Sequence, residues 1–160
     1  MSVRALAATA ASALVLAAPP RAGVVVPGVS LGGLRLGATP AAVRAAWGSG
    51  FGTCRGCAAP TWYFTYRPFT QQGAGVEFRR GRVSALYTLW APPGWRTPKG
   101  LAIGDPAATV TRLYGALPLE QCVGYSALLL RRGATLTAFY VVGSKLWGFG
   151  LMRYGRSPCF

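Results

Sequence analysis

The chain is organised around residues 33–48, which read GLRLGATPAAVRAAWG, because this stretch returns at residues 100–115 as GLAIGDPAATVTRLYG. The two copies align without a gap, and they are identical at six positions, including the glycines at both ends. An internal sequence repeat at a fixed spacing is a primary indication of the architecture. We therefore expect two units, repeat 1 at residues 33–99 and repeat 2 at residues 100–160.

Each copy predicts a short amphipathic helix. Thr39 and Asp105 each precede a proline, so that a side-chain oxygen can cap the helix while the proline takes its first position. Apolar residues at the spacing i, i+3, i+4 follow in both copies, and Gly48 and Gly115 then end the helices. Because helices this short are unstable alone in water, each must pack on a sheet.

The rest of each unit predicts that sheet. Alternating or aromatic runs bounded by turn residues are typical of strands. They cover residues 62–66, 75–79, 83–90, 125–131, 134–142 and 145–153. The predicted fold class is therefore α+β, with two tandem helix-plus-three-strand repeats that form a six-stranded antiparallel sheet with both helices on one face. The uncovered face of that sheet would be available to a partner.

The N-terminus has the pattern of a secretory signal peptide. One basic residue, Arg4, precedes a run of small and apolar residues that is too short to span a bilayer, and residues 15–17 fit a small-residue cleavage site. We expect a signal peptide at residues 1–17, an extended tether at residues 18–32, and a secreted, extracellular or cell-envelope-associated protein. We expect no transmembrane anchor, and no lipid anchor because no cysteine stands at the cleavage site.

Basic residues greatly outnumber acidic residues in this chain. The chain has 17 Lys and Arg residues against 3 Asp and Glu residues, no histidine, and a net charge of +14. Such a surface attracts anionic polymers and membranes through charge alone. An arginine-rich and alanine-rich composition also arises from GC-rich coding sequence, so both interpretations stay open. Secretion argues against nucleic acid as a partner.

Four cysteines allow three pairings. In a secreted chain the default is disulfides, and Cys122 with Cys159 lie in one unit, which leaves Cys54 with Cys57. The spacing of Cys54 and Cys57 is also that of thiol oxidoreductases, although no βαβ pattern surrounds it. A metal site is disfavoured, since a zinc site needs four ligands and no histidine is present. We favour structural disulfides over redox chemistry.

The sequence contains few side chains that could take part in catalysis. Without histidine there is no Ser-His or Cys-His nucleophile pair. With Asp105 assigned to a helix cap, Glu77 and Glu120 are the remaining carboxylates, and we interpret Glu77 as a solvated or ion-paired strand residue and Glu120 as a loop residue. We expect no catalytic residue, no metal, no cofactor and no enzymatic activity.

Aromatic residues are concentrated in the first unit. Trp and Tyr, together with Arg, dominate the energetics of protein interfaces. We assign Trp47, Trp62 and Phe64 to the core beneath the helices. Four others are the candidates for an exposed binding face: Tyr63, Tyr87, Trp90 and Trp95.

The pattern Leu-x-Leu/Ile-Gly through Val-x-x-x-Trp/Tyr-Gly, present twice, resembles the tandem repeats of secreted β-lactamase-inhibitor proteins. It is also similar to the single repeat of the small lipoprotein of the outer-membrane barrel-assembly machinery. The resemblance covers about residues 33–160. It implies helices that pack against a curved antiparallel sheet whose concave face binds a protein. No inhibitory residue of that family can be matched to a position in this sequence.

Three functional hypotheses follow. The first is a secreted, non-enzymatic binding module with a protein partner, such as an inhibited enzyme. The second is a cell-envelope protein held to anionic wall polymers by its basic surface. The third is a thiol oxidoreductase that uses Cys54 and Cys57.

Overall fold

The structure is a computed structural model of the chain, and it describes residues 24–64, 73–90 and 94–159. The predicted signal peptide at residues 1–17 lies outside the described residues. Twelve elements follow one another along the chain: β1 (Val25–Val26), β2 (Ser30–Leu31), α1 (Pro40–Trp47), β3 (Gly52–Thr53), β4 (Thr61–Phe64), β5 (Gly73–Arg79), β6 (Arg82–Leu89), α2 (Ala107–Tyr114), β7 (Leu119–Cys122), β8 (Tyr125–Arg132), β9 (Thr135–Val142) and β10 (Lys145–Arg153).

Eight of the strands form one antiparallel sheet in the order β3-β4-β5-β6-β10-β9-β8-β7. The four strands after α1 form one antiparallel run, and the four strands after α2 form another. The last strands of the two runs, β6 and β10, pair with each other at the centre, with Tyr87 opposite Gly150 and Leu89 opposite Gly148. The result is a continuous sheet with short edge strands at both sides.

Both helices pack on one side of this sheet. Val43 of α1 and Val110 of α2 are completely buried, and they belong to a single apolar cluster with Leu86, Phe139 and Phe149 from the central strands. We call this cluster the helix-side core. Since each helix buries one stripe of small and apolar residues, its stability comes mainly from this packing.

The helix ends follow from local chemistry. The Thr39 hydroxyl accepts a hydrogen bond from the Ala42 backbone N–H at 3.1 Å, which confirms the predicted cap of α1. Gly48 and Gly115 end the two helices with positive φ, as predicted, but their ψ values of 179° and −174° are extended rather than left-handed helical. Glycine alone adopts this combination easily, because it has no Cβ.

The predicted cap of α2 is wrong. The N-cap residue is Pro106, and no side chain caps this helix. The Asp105 carboxylate instead accepts a hydrogen bond from the Ala102 backbone N–H at 2.8 Å. The helix begins one residue later than the sequence pattern indicates, so the carboxylate closes the preceding turn.

The predicted fold class, α+β with two helix-plus-three-strand repeats, is also wrong. The described part of the chain is mostly β, with eight strands in its main sheet and only two helices of eight residues each. The two strands that the sequence pattern does not predict are the edge strands β3 and β7, and Glu120 lies in β7 rather than in a loop. Their residues, Gly-Thr and Leu-Glu-Gln-Cys, lack the apolar alternation of a half-buried strand, because edge strands of this kind bury little side-chain surface.

Residues 24–32, within the stretch expected to be an extended tether, are packed against the body of the protein. β1 and β2 form a small antiparallel sheet, and the side chains of Val25 and Leu31 are buried in the helix-side core. The Val25 backbone N–H donates to the Arg96 carbonyl at 2.9 Å, so this segment is held by main-chain hydrogen bonds as well.

Both predicted disulfides are present. Cys54–Cys57 closes the loop between β3 and β4, and Cys122–Cys159 joins the end of the edge strand β7 to the C-terminal segment. The sequence separations are 3 and 37 residues, so the two bonds restrict the unfolded chain very differently.

We expect the double variant Cys122→Ser/Cys159→Ser to lose about 4 kcal/mol of unfolding free energy, because the bond closes a long loop. For Cys54→Ser/Cys57→Ser we expect about 2 kcal/mol, since that loop is very short. Urea unfolding followed by circular dichroism measures both values. An equal loss in the two variants would contradict the loop-length argument.

Candidate binding face

The second face of the sheet carries its own apolar surface. Side chains alternate along a strand, so neighbours such as Phe139 and Tyr140 of β9 point to opposite faces. No described helix packs on the face that contains Tyr140. We call it the helix-free face, and its central buried residues are Ala85, Tyr87, Leu89, Ala127, Leu136, Ala138, Tyr140 and Met152.

Glycines form the floor beneath two tyrosine rings on this face. Gly75 lies directly opposite Tyr87 in the ladder between β5 and β6, and a Cβ built on Gly75 would overlap the Tyr87 ring. A Cβ on Gly150 would likewise overlap the hydroxyl end of Tyr140. Both rings therefore lie flat across the sheet, where any larger residue in place of these glycines would displace them.

The flat tyrosines are shielded from water. Tyr87 is 7% exposed and Tyr140 is fully buried. Burial is the main cause that raises the pKa of both hydroxyls well above the ordinary value of 10.0, and the neighbouring tyrosines, Tyr63 beside Tyr87 and Tyr125 beside Tyr140, raise it further. Both rings stay neutral at physiological pH, so they contribute apolar surface and hydroxyl dipoles rather than charge.

An exposed aromatic residue follows the end of β6. Trp90, directly after this strand, is 46% exposed, and its backbone N–H donates to the carbonyl of Trp147. Trp147 occupies a β-bulge in β10, between the paired residues Leu146 and Gly148. Its ring lies 5.6 Å from that of Tyr125. We call Trp90, Tyr125 and Trp147 the aromatic rim.

The backbone of Trp90 is in a costly conformation. Its φ angle is 55°, a value that non-glycine residues rarely adopt. Strain of this kind is of the order of 1–3 kcal/mol and is concentrated at functional sites. A large, exposed, apolar side chain held at such a backbone position has no evident benefit for folding.

The structure divides the four predicted binding residues. Tyr63 and Tyr87 meet on the helix-free face, where Tyr63 is half-buried and shares a hydrogen bond with Tyr87. Trp90 is exposed directly after β6, the strand that carries Tyr87. Trp95 does not lie on the helix-free face, because its ring is 4% exposed in the helix-side core and contacts Trp47 edge-on at 5.8 Å.

Trp95 therefore does not have the exposure that the sequence interpretation assumed. In the sequence it follows a proline- and glycine-rich segment, yet its side chain packs in the helix-side core. The assignment of Trp47, Trp62 and Phe64 to the core is confirmed, since all three pack against the helix-side core.

Sequence reasoning missed three aromatic residues of this face: Tyr125, Tyr140 and Trp147. A signal for them was present in the alternation Trp-Gly-Phe-Gly at residues 147–150. Glycines at every second position of a strand leave one of its faces without side chains, which makes room for rings from neighbouring strands. The ring over Gly150 is that of Tyr140, from the neighbouring strand β9, so only the strand order shows which ring fills that room.

One ion pair lies at the far end of the face. Arg156 binds the Glu77 carboxylate and also donates to the Ser84 hydroxyl at 3.0 Å. Glu77 is therefore ion-paired, which was one of the two predicted states. Within the described residues, no group of three His, Cys, Asp or Glu side chains is arranged to hold a metal, and no helix has the length and apolar character to cross a membrane.

Two solved structures of bacterial proteins share the fold over most of this chain. One is an extracellular protein containing an SCP domain from Bacillus anthracis str. Ames, with 14% identity and a TM-score of 0.54 over 74% of this chain and 44% of that one. Another is a cysteine-rich secretory protein from Staphylococcus aureus subsp. aureus Mu50, with 13% identity and a TM-score of 0.55 over 85% of this chain and 48% of that one. The chain thus spans less than half the length of these two proteins.

A DUF4309 family protein from Bacillus subtilis subsp. subtilis str. 168 is also similar, with 13% identity and a TM-score of 0.53 over 72% of this chain and 78% of that one. No protein-family model matches the chain, and no curated protein matches it. At these identities the likeness shows the fold, which thus occurs in bacterial proteins described as extracellular or secretory.

The fit of the Tyr87 ring on Gly75 is testable. We expect Gly75→Ala to lose about 1–3 kcal/mol of unfolding free energy, because the new methyl group must displace the ring. The matched control is Gly52→Ala on the exposed edge strand β3, where a Cβ meets nothing within 4 Å. Urea unfolding should show the control unchanged or more stable by up to about 1 kcal/mol. Equal stability of the two variants would show that the ring does not lie on Gly75.

The tyrosine pKa shifts predict an alkaline transition. The folded state keeps Tyr87 and Tyr140 protonated above pH 10, whereas the unfolded state ionises them there, so stability falls as pH rises above 10. We expect the tyrosinate absorbance of these two rings to appear together with the loss of the far-ultraviolet dichroism of the sheet. Tyr87→Phe and Tyr140→Phe should each reduce the amplitude of that joint step. Ionisation of both rings with the sheet intact would contradict this expectation.

Proposed function

We propose that the protein is a secreted, non-enzymatic module that binds a partner protein through the aromatic rim and the adjoining helix-free face. The observation that carries this proposal is Trp90, which is exposed, bulky, and held at a positive φ beside Trp147. Tryptophan and tyrosine provide large, rigid, apolar contact area, and they are the residue types that dominate protein interfaces. The surface of a partner protein can provide apolar pockets that fit these rings.

Two sets of observations support secretion. The predicted signal peptide and the two disulfides both fit an oxidising compartment. Two of the structures that share the fold belong to proteins described as extracellular or secretory. The repeated sequence pattern also resembles that of secreted inhibitor proteins and of the barrel-assembly lipoprotein. This resemblance supports a sheet face that binds a protein.

Site-specific photo-crosslinking in the native secreted fraction tests the proposal. Benzoylphenylalanine at Tyr63 places the photoreactive group on the helix-free face, and at Trp90 it places the group in the aromatic rim. The matched control is Arg112, which is exposed on α2 at the opposite side of the sheet. We expect a discrete, protease-sensitive adduct from positions 63 and 90 and none from position 112.

The variant Trp90→Gly separates binding from folding. Glycine adopts a φ of 55° without strain, so this variant should be at least as stable as the natural chain while it loses the adduct captured from position 63. Retention of that adduct, or adducts of equal yield from position 112, would contradict a partner site on this face.

A further inference from the structure

One end of the main sheet collects seven arginines, a feature that lies outside the aromatic rim. The hairpin between β5 and β6 and the hairpin between β8 and β9 turn at this end, and β10 finishes there, since Arg153 and Arg132 both lie opposite Thr135 in their ladders. We call this set the arginine end: Arg79, Arg80, Arg82, Arg131, Arg132, Arg153 and Arg156.

The positive charge at this end is largely uncompensated. Among the described residues, the carboxylate that the register places here is Glu77, and it is already paired with Arg156. Arg79 and Arg82 lie directly opposite each other between β5 and β6. Like charges at directly opposed positions destabilise a sheet, so this arrangement costs stability in the free protein. A bound anion would remove that cost.

The guanidinium groups are available to a ligand. Six of the seven residues, all but Arg156, are exposed. Arg131 is oriented by its contact with the Tyr154 ring, 3.7 Å from the ring centre, and by a hydrogen bond from its Nε to the Gly133 carbonyl at 3.1 Å. The aliphatic part of Arg132 packs beside Gly28. These contacts hold part of the cluster in place before any ligand arrives.

The spread of the arginines indicates the form of the ligand. The strands that carry them, from β5 through β6, β10 and β9 to β8, cover about 19 Å, because neighbouring strands lie about 4.8 Å apart. One small anion cannot contact both hairpins at once. A linear chain with an anionic group in each unit can follow this end of the sheet from one hairpin to the other.

The residue type is suited to phosphate. All seven cations are arginine, and both lysines of the sequence, Lys99 and Lys145, lie elsewhere. The planar guanidinium group matches the oxygens of phosphate with two parallel hydrogen bonds, whereas lysine acts as a point charge. We propose that the arginine end binds a linear polyanion that carries phosphate groups, which goes beyond the proposed protein-binding function and uses no residue of the aromatic rim.

Binding of the purified full-length chain to long-chain inorganic polyphosphate, measured by calorimetry across a series of salt concentrations, tests this site. We expect binding that weakens steeply with added salt, as contacts to a polyanion do. Polyphosphate at low salt should also raise the melting temperature, because it relieves the repulsion between the arginines.

The triple variant Arg79→Gln/Arg82→Gln/Arg153→Gln removes exposed charges from three strands of the arginine end. We expect it to lose at least about tenfold in affinity for polyphosphate and to have a flatter salt dependence. It should also melt at an equal or higher temperature, which separates loss of binding from loss of folding. The matched control, Arg96→Gln/Arg112→Gln/Lys145→Gln, removes the same charge from exposed positions elsewhere and should lose no more than about threefold.

Three results would overturn the proposal. Equal losses in the two triple variants would mean that net charge alone attracts the polymer. Competition by tripolyphosphate at equal phosphate concentration would indicate a small-anion site. The third result is that the protein binds phosphatidylglycerol vesicles more tightly than polyphosphate and that the arginine variant loses this binding. It would assign the arginine end to a membrane surface. In each of these outcomes, the triple variant should still bind the partner captured at position 63, which would show that the aromatic rim is unaffected.

Discussion

The hydrogen-bonded ladder between β6 and β10 is the contact on which the rest of the structure depends, since it joins the strands that follow α1 to the strands that follow α2. It runs from Leu89 opposite Gly148 to Ala85 opposite Met152. Each four-strand run alone would expose half of the apolar surface beneath the helices. Because the ladder makes one sheet, Val43 of α1 and Val110 of α2 are buried in the same core.

The same ladder determines the character of the helix-free face. It places Gly150 opposite Tyr87, and β5 places Gly75 opposite the same tyrosine from the other side. The Tyr87 ring can therefore lie flat on a floor that is free of side chains. A slip of one residue in the register would move the ring to the helix side and bring the apolar core to the surface. The glycines thus specify the register as well as making room for the ring.

The antiparallel course of the strands separates two surfaces of different chemistry. β6 and β10 run in opposite directions, so that the backbones of Trp90 and Trp147 meet at one end, while Arg82 at the start of β6 and Arg153 at the end of β10 lie at the other. In our proposals, the apolar end holds a protein and the basic end holds a phosphate-bearing chain. Both could be occupied together, because the aromatic rim and the arginine end share no residue.

The sequence by itself determined the two helices, the six inner strands to within a few residues and the core positions of Trp47, Trp62 and Phe64, and it favoured the two disulfide pairings without determining them. These features depend on local spacing, on capping residues and on apolar alternation, all of which can be read along the chain. It did not determine the edge strands β3 and β7, the burial of Trp95 or the tyrosines that lie on Gly75 and Gly150. Only the tertiary structure decided these, and it alone gathered the seven arginines at one end, because strand order and register bring together residues that are distant in sequence and have no local pattern in common.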